Sequence, residues 1–208
     1  MSRPGSRARG ALLAVAAGVL VAAAGCSDAS PSTSRAASTP AASTPVAPTR
    51  GAPAPLVSLP TALPPVALSG DRVRGQDYAY GVPRDWTEVD LEADPQPDST
   101  IAPRDEAVPY YIAVDRVLDV GARSLDEVVA QLEAGFSGQG TLGALPRRQV
   151  AGFAAAGVIV DVPPRTRHVY AISLYAERAF PIRVTYDPAH EREALAAFAA
   201  VLDSWTWG

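Results

Sequence analysis

The sequence contains no lysine, no asparagine, a single cysteine, and no aromatic residue before Tyr78. Each absence removes something. Without lysine there is no P-loop; every basic side chain is an arginine, which reads as the codon bias of a GC-rich genome. One cysteine cannot close a disulfide within the chain. The two histidines, His168 and His190, have no second histidine or cysteine at ligand spacing, so no zinc site, and no other metal or cofactor, is expected. All fourteen Phe, Trp and Tyr residues lie at or beyond Tyr78, which leaves the first 77 residues without the large side chains a core needs. The apolar run from Ala11 to Ala24 has fourteen residues, short of the roughly 20 that a membrane-spanning helix requires.

What is present at the N-terminus is a targeting pattern. Arg3, Arg7 and Arg9 precede the Ala11–Ala24 run, and small residues follow it. That is the order of a secretory signal peptide, expected over residues 1–25. The lone Cys26 closes the segment Ala23-Ala24-Gly25-Cys26, which resembles the bacterial lipobox, with Ala23 where that motif usually carries Leu, Val or Ile. The resemblance implies acylation of the Cys26 thiol and anchorage to the outer face of the cell membrane. An ordinary secretory cleavage would instead leave a free thiol in an oxidising compartment, where an unpaired cysteine is a liability. Each buried acyl methylene contributes about 0.8 kcal/mol to such an anchor.

Residues 26–70 read as the lipidated cysteine and a tether. Between positions 27 and 69 there are nine prolines, many Ala, Ser and Thr, and only three charges, Asp28, Arg35 and Arg50; the five residues AASTP occur in tandem at 36–40 and 41–45. Such a composition cannot bury enough apolar surface to offset its chain entropy, so disorder is expected. A flexible coil of that length spans about 36 Å. Ser/Thr/Pro-rich stalks of this kind can also carry O-linked glycans.

From Asp71 to Gly208 the pattern becomes globular. Tyr78–Val82 is an aromatic-rich strand stopped by Pro83, and Tyr110–Leu118 alternates, with Tyr110, Ile112, Val114 and Leu118 on one face and Asp115 on the other. Ser124-Leu-Asp-Glu127 is a capping box ahead of a helix whose apolar positions are Leu125, Val128, Val129, Leu132 and Phe136. Positions 149–162 suggest two short strands or one bulged strand around Gly152 and Gly157, closed by Pro163-Pro164. Val169–Tyr175, apolar on both faces, is expected to be central. Phe180, Ile182, Val184 and Tyr186 share a face while Arg183 and Thr185 point outward, as in a half-exposed antiparallel strand. Asp187-Pro188 opens a last helix with Leu195, Phe198, Val201 and Leu202 as its buried stripe. Strands, helix, strands, helix without βαβ alternation give an α+β fold, an antiparallel β-sheet flanked by helices.

The stretch Tyr80-Gly-Val-Pro-Arg-Asp-Trp86 resembles the opening hairpin of PsbP-like domains. Together with the anchor, the Ala/Pro/Ser-rich tether and the domain size, it is similar to the LpqN-type lipoproteins of actinobacteria. The likeness spans residues 70–208 and implies an α/β/α sandwich around an antiparallel sheet. It implies no enzyme, since members of this class are mostly accessory or binding proteins. Trp86 is read as a core anchor.

The search for chemistry is thin. Gly135-Phe-Ser137-Gly-Gln139 lacks the final glycine of the nucleophile elbow and follows a helix, not a strand, so it reads as a helix end. The acidic loop Glu92–Asp98 has no EF-hand glycine and two prolines, and reads as solvated. The globular segment carries 13 arginines against 21 acidic residues, a net charge of −8, which disfavours nucleic acid. Arg147-Arg148 with Arg165-Thr-Arg167 is a local basic cluster, either ordinary solvated turns or a contact for an anionic group. The expected function is that of a binding or accessory module of the cell envelope, with an envelope protein or an apolar or lipid molecule as partner; the oligomeric state is open. The alternatives are a structural envelope protein and a hydrolase using Ser173 with His168, two residues that strand parity places on opposite faces.

Overall fold

The computed structural model describes residues 62–208. The expected signal peptide, Cys26 and the expected tether as far as residue 61 lie outside the described residues. Within them the elements are β1 (Leu68–Arg74), β2 (Tyr78–Pro83), β3 (Trp86–Glu88), β4 (Ser99–Pro103), β5 (Tyr111–Val114), β6 (Leu118–Asp119), α1 (Leu125–Gly135), β7 (Thr141–Val150), β8 (Phe153–Val162), β9 (Thr166–Tyr175), β10 (Arg178–Tyr186), a 3-10 turn Pro188–His190, α2 (Glu191–Asp203) and β11 (Thr206–Trp207). A small sheet runs β1-β2-β11. A larger one runs β3-β4-β5-β10-β9-β8-β7, with β6 also paired to β10, and every pairing is antiparallel.

Strand parity sorts the core into two layers. On β9, Val169 and Ala171 join the cluster beneath α2, which also takes Phe180, Ile182, Val184 and Tyr186 of β10. Their neighbours Tyr170 and Ile172 point the other way, into two smaller clusters beneath α1. Each helix therefore covers one face of the large sheet, and α2 shares its face with the small sheet. This is the expected α+β architecture. The capping box forms, with the Ser124 side chain accepting from the Glu127 N–H and the Glu127 carboxylate accepting from the Ser124 N–H at 2.7 Å. Asp187 caps the 3-10 turn that leads into α2.

Four local expectations are corrected. The boundary at residue 70 falls inside β1, and Leu63 already packs against the core. Residues 149–162 are not two short strands: Ala151 and Gly152, both at positive φ (48° and 86°), make a two-residue turn between the ten-residue strands β7 and β8. Gly157 sits mid-strand because a Cβ there would come within 1.8 Å of the Tyr170 carbonyl oxygen. Most of β7 went unread because Gly143, Pro146 and two arginines break its alternation; as an edge strand with a bulge between Leu145 and Arg148 it tolerates all of them.

The expected strand Tyr110–Leu118 stops at Val114. Opposite the break is Pro181, which has no N–H to hold the ladder, and Leu118 emerges in β6 with its side chain exposed. Finally, Arg183 and Thr185 do not face solvent; Thr185 is buried and the Arg183 side chain is 13% exposed.

Candidate functional site

A groove opens on the α2 face at the β7 edge of the large sheet. One wall is β7, where the bulge inserts Pro146 and Arg147 as an extra step and brings both Leu145 and Arg148 to the α2 side. The facing wall is α2, with Leu195, Phe198 and Ala199 at helical spacing. Val169 forms the floor and Leu63 closes one end. The cavity measures about 340 Å³. The bulge splays the edge strand and α2 presents the small Ala199 there; a large side chain at position 199 would fill the space.

The groove has one charged end. Arg148 Nη2 donates to Asp203 Oδ1 at 2.8 Å, and the Asp203 side chain is 72% exposed. Its neighbour Arg147 reaches the opposite face of the sheet and pairs with Asp126 of α1. The lining residues include no serine, threonine, cysteine, histidine or carboxylate. Such a surface can hold an apolar group and fix a polar one; it has no nucleophile and no acid–base pair.

The second polar assembly lies on the other face, where α1 does not reach. Arg183 donates through Nε and Nη2 to the two oxygens of Asp115 at 2.9 and 2.7 Å. Its Nη1 donates to the Tyr111 hydroxyl and to Thr185 Oγ1, and its guanidinium lies over the Tyr111 and Tyr170 rings. Burial alone would lower the Arg183 pKa; the Asp115 hydrogen bonds and charge outweigh it, so the group is held firmly protonated. Thr185 Oγ1 and His168 Nδ1 share a 2.8 Å hydrogen bond. Burial first, and the Arg183 charge second, push the His168 pKa down to about 4. Every group in this cluster is committed to another, so it closes a sheet face and offers nothing to a ligand.

The remaining sequence candidates are dispersed. Ser173 is fully buried on the α2 side and donates to the Ala154 carbonyl, whereas His168 is on the α1 side, so the two do not meet. Arg147-Arg148 and Arg165-Arg167 do not form one cluster: Arg148 and Arg167 lie opposite Ala155 and Asp161, six residues apart on β8, or about 20 Å, and Arg167 is taken up by Asp161 and Glu191. In the acidic loop, Asp98 accepts a hydrogen bond from the Tyr78 hydroxyl, and Ser99 bonds to both Tyr78 and Tyr80. Burial, then the Asp98 hydrogen bond, raise the Tyr78 pKa, so this cluster holds neutral phenols. Gly135–Gln139 ends α1, Trp86 is buried against Tyr110, and His190 stands at the α2 N-terminus. Among the described residues no three His, Cys, Asp or Glu side chains gather as a metal cage, and no helix is long and apolar enough to cross a membrane.

The sequence placed Arg183 and Asp115 each on the polar side of an alternating segment, which marks both residues but not that they meet or that their side of the sheet is closed. The groove gave no such signal, because Leu63 and Pro146 stood in segments that read as tether and loop.

No protein-family model and no curated sequence matches this chain. Among solved structures it is similar to the cyanobacterial PsbP protein (CyanoP) of Synechocystis sp. PCC 6803, at 14% identity over 66% of this chain and 92% of that one, with a TM-score of 0.47. It is also similar to LpqN of Mycobacterium tuberculosis, a protein described as involved in cell envelope biogenesis, at 15% identity over 68% of this chain and 88% of that one, with a TM-score of 0.46. Both likenesses concern the course of the chain and say nothing of the groove.

Proposed function

We propose that this chain is an extracytoplasmic lipoprotein of the LpqN type, held to the outer face of the cell membrane through Cys26, whose folded segment is a non-catalytic binding module of the cell envelope. The observation that carries the binding role is the groove between β7 and α2: apolar on its walls, charged at one end, and without a reactive side chain. The placement outside the membrane rests on the Arg3/Arg7/Arg9 start, the Ala11–Ala24 run and Ala23-Ala24-Gly25-Cys26. The tether's reach keeps such a module local to the bilayer without pressing an acidic domain against anionic lipid.

One preparation tests both halves. Full-length protein made in a host with a lipoprotein pathway partitions with membranes, and C26S is released to the medium. The neutral apolar fluorophore N-phenyl-1-naphthylamine binds the full chain at one saturable site, and A199W, which fills the groove, abolishes binding while leaving the far-UV circular dichroism unchanged. Membrane retention of C26S would remove the anchor, and undiminished dye binding by A199W would remove the groove.

A further inference from the structure

We infer that the groove takes the single chain of a fatty acid, with its carboxylate seated on Arg148 in the place the Asp203 carboxylate now holds. This rests on reading the groove as a binding site, and it specifies what is bound.

Four observations converge. Leu145, Pro146, Val169, Leu195, Phe198 and Ala199 make most of the lining hydrocarbon, with Arg147 and Gln149 as its other polar members beside Arg148. A volume of about 340 Å³ lies at the small end of ligand pockets, and the space is one strand and one helix wide, which suits one chain and not a diacyl lipid. At the end of those walls stands a guanidinium one-third exposed, which among the described residues donates only through Nη2, to Asp203; Nε and Nη1 remain available for a forked carboxylate. Asp203 is itself mostly in water, so an incoming anion displaces a partner that contributes little.

Charge selects among anions. A carboxylate replaces Asp203 one negative charge for one, whereas a phosphate monoester brings up to two beside a carboxylate that has only swung aside. A peptide added as a strand to the β7 edge is disfavoured, because the bulge and Pro146 interrupt its hydrogen-bonding edge and Arg147 projects from it.

The test is displacement of N-phenyl-1-naphthylamine from the full chain by dodecanoate, dodecanol, dodecyl phosphate and inorganic phosphate. Dodecanoate is expected to displace the dye at a concentration about tenfold lower than dodecanol, the worth of a hydrogen-bonded charge. R148Q brings acid and alcohol to within about twofold while leaving the alcohol unchanged, and R165Q, in the exposed turn between β8 and β9 and outside the groove lining, alters neither. Inorganic phosphate displaces nothing. Equal displacement by acid and alcohol overturns the inference and leaves the binding site standing, as does preference for dodecyl phosphate or loss of acid preference in R165Q. Failure of the dye itself to bind overturns the site as well.

Discussion

The two faces of the large sheet are closed by different physics. Beneath α2 the closure is dry: Phe180, Ile182, Val184 and Tyr186 share a cluster with six buried residues of the helix, and Trp205 stacks on both Tyr78 and Tyr80 with ring centroids 4.8 and 5.4 Å away. Beneath α1 the helix buries only Val128 of its own residues and covers β8, β9 and the start of β10 at Ala179. The rest of that face is sealed by Arg183, with Asp115, Tyr111, Thr185 and His168 around it. A short helix left part of a sheet uncovered, and a fully satisfied charged lid took its place. The difference also locates the site. The groove lies on the dry face, at the edge where β7 bulges away from α2.

The comparison is broken most severely from the dry side. Phe180→Ala empties a fully buried ring position that touches Tyr78, Tyr175 and Trp207, and is expected to lower the unfolding free energy by about 4 kcal/mol in urea titrations. A loss below about 1 kcal/mol would mean that the aromatic layer is not the core it looks like.

On the charged side the expectation has a sign that the dry side cannot reproduce. Asp115→Asn leaves Arg183 without its counter-ion and is expected to cost about 3 kcal/mol, the lower end for such a break because Asp115 keeps contact with water. Replacing both Asp115 and Arg183 by leucine should recover most of that loss, since the pair's mutual attraction mainly offsets its own desolvation. If the double variant were as unstable as the two single losses added together, the lid would be a net source of stability and not a seal.

How far the sequence revealed this arrangement depended on whether a residue's role was local. The capping box, the stripe of α2, the central β9 and the shared face of β10 rest on spacing within one element, and all are found. The inward turn of Arg183 was not readable from β10 alone, because alternation says which residues share a face and not whether a helix covers it. Asp115 became its partner only through the break at Pro181, sixty-odd residues away in sequence. The groove is the same kind of case: Leu63, Pro146 and Ala199 come from three segments, and nothing in any one of them marks a site. The role proposed for Cys26, by contrast, rests on the four residues that end in it and lies outside the described residues.

The smallest effect sharpens the contrast through pH. His168 titrates at about 4 in the fold against an ordinary value near 6.5, so the folded state binds fewer protons there than the unfolded chain does. The neutral imidazole's contribution is complete above pH 6.5 and is lost as pH falls through the window from 6.5 to 4, with a limiting slope of about 1.4 kcal/mol per pH unit. The groups facing it are the positive Arg183, the Thr185 hydroxyl and the Tyr170 ring, none of which gains or loses charge in that window. Measured by urea titration at pH 7, 6, 5 and 4, the stability difference between the wild type and H168Q should shrink or reverse as acid is added. Since carboxylates elsewhere titrate in both proteins, only this difference isolates the imidazole. A difference constant across the four values would show that His168 accepts its proton in the folded state, and that the charged face is open to water after all.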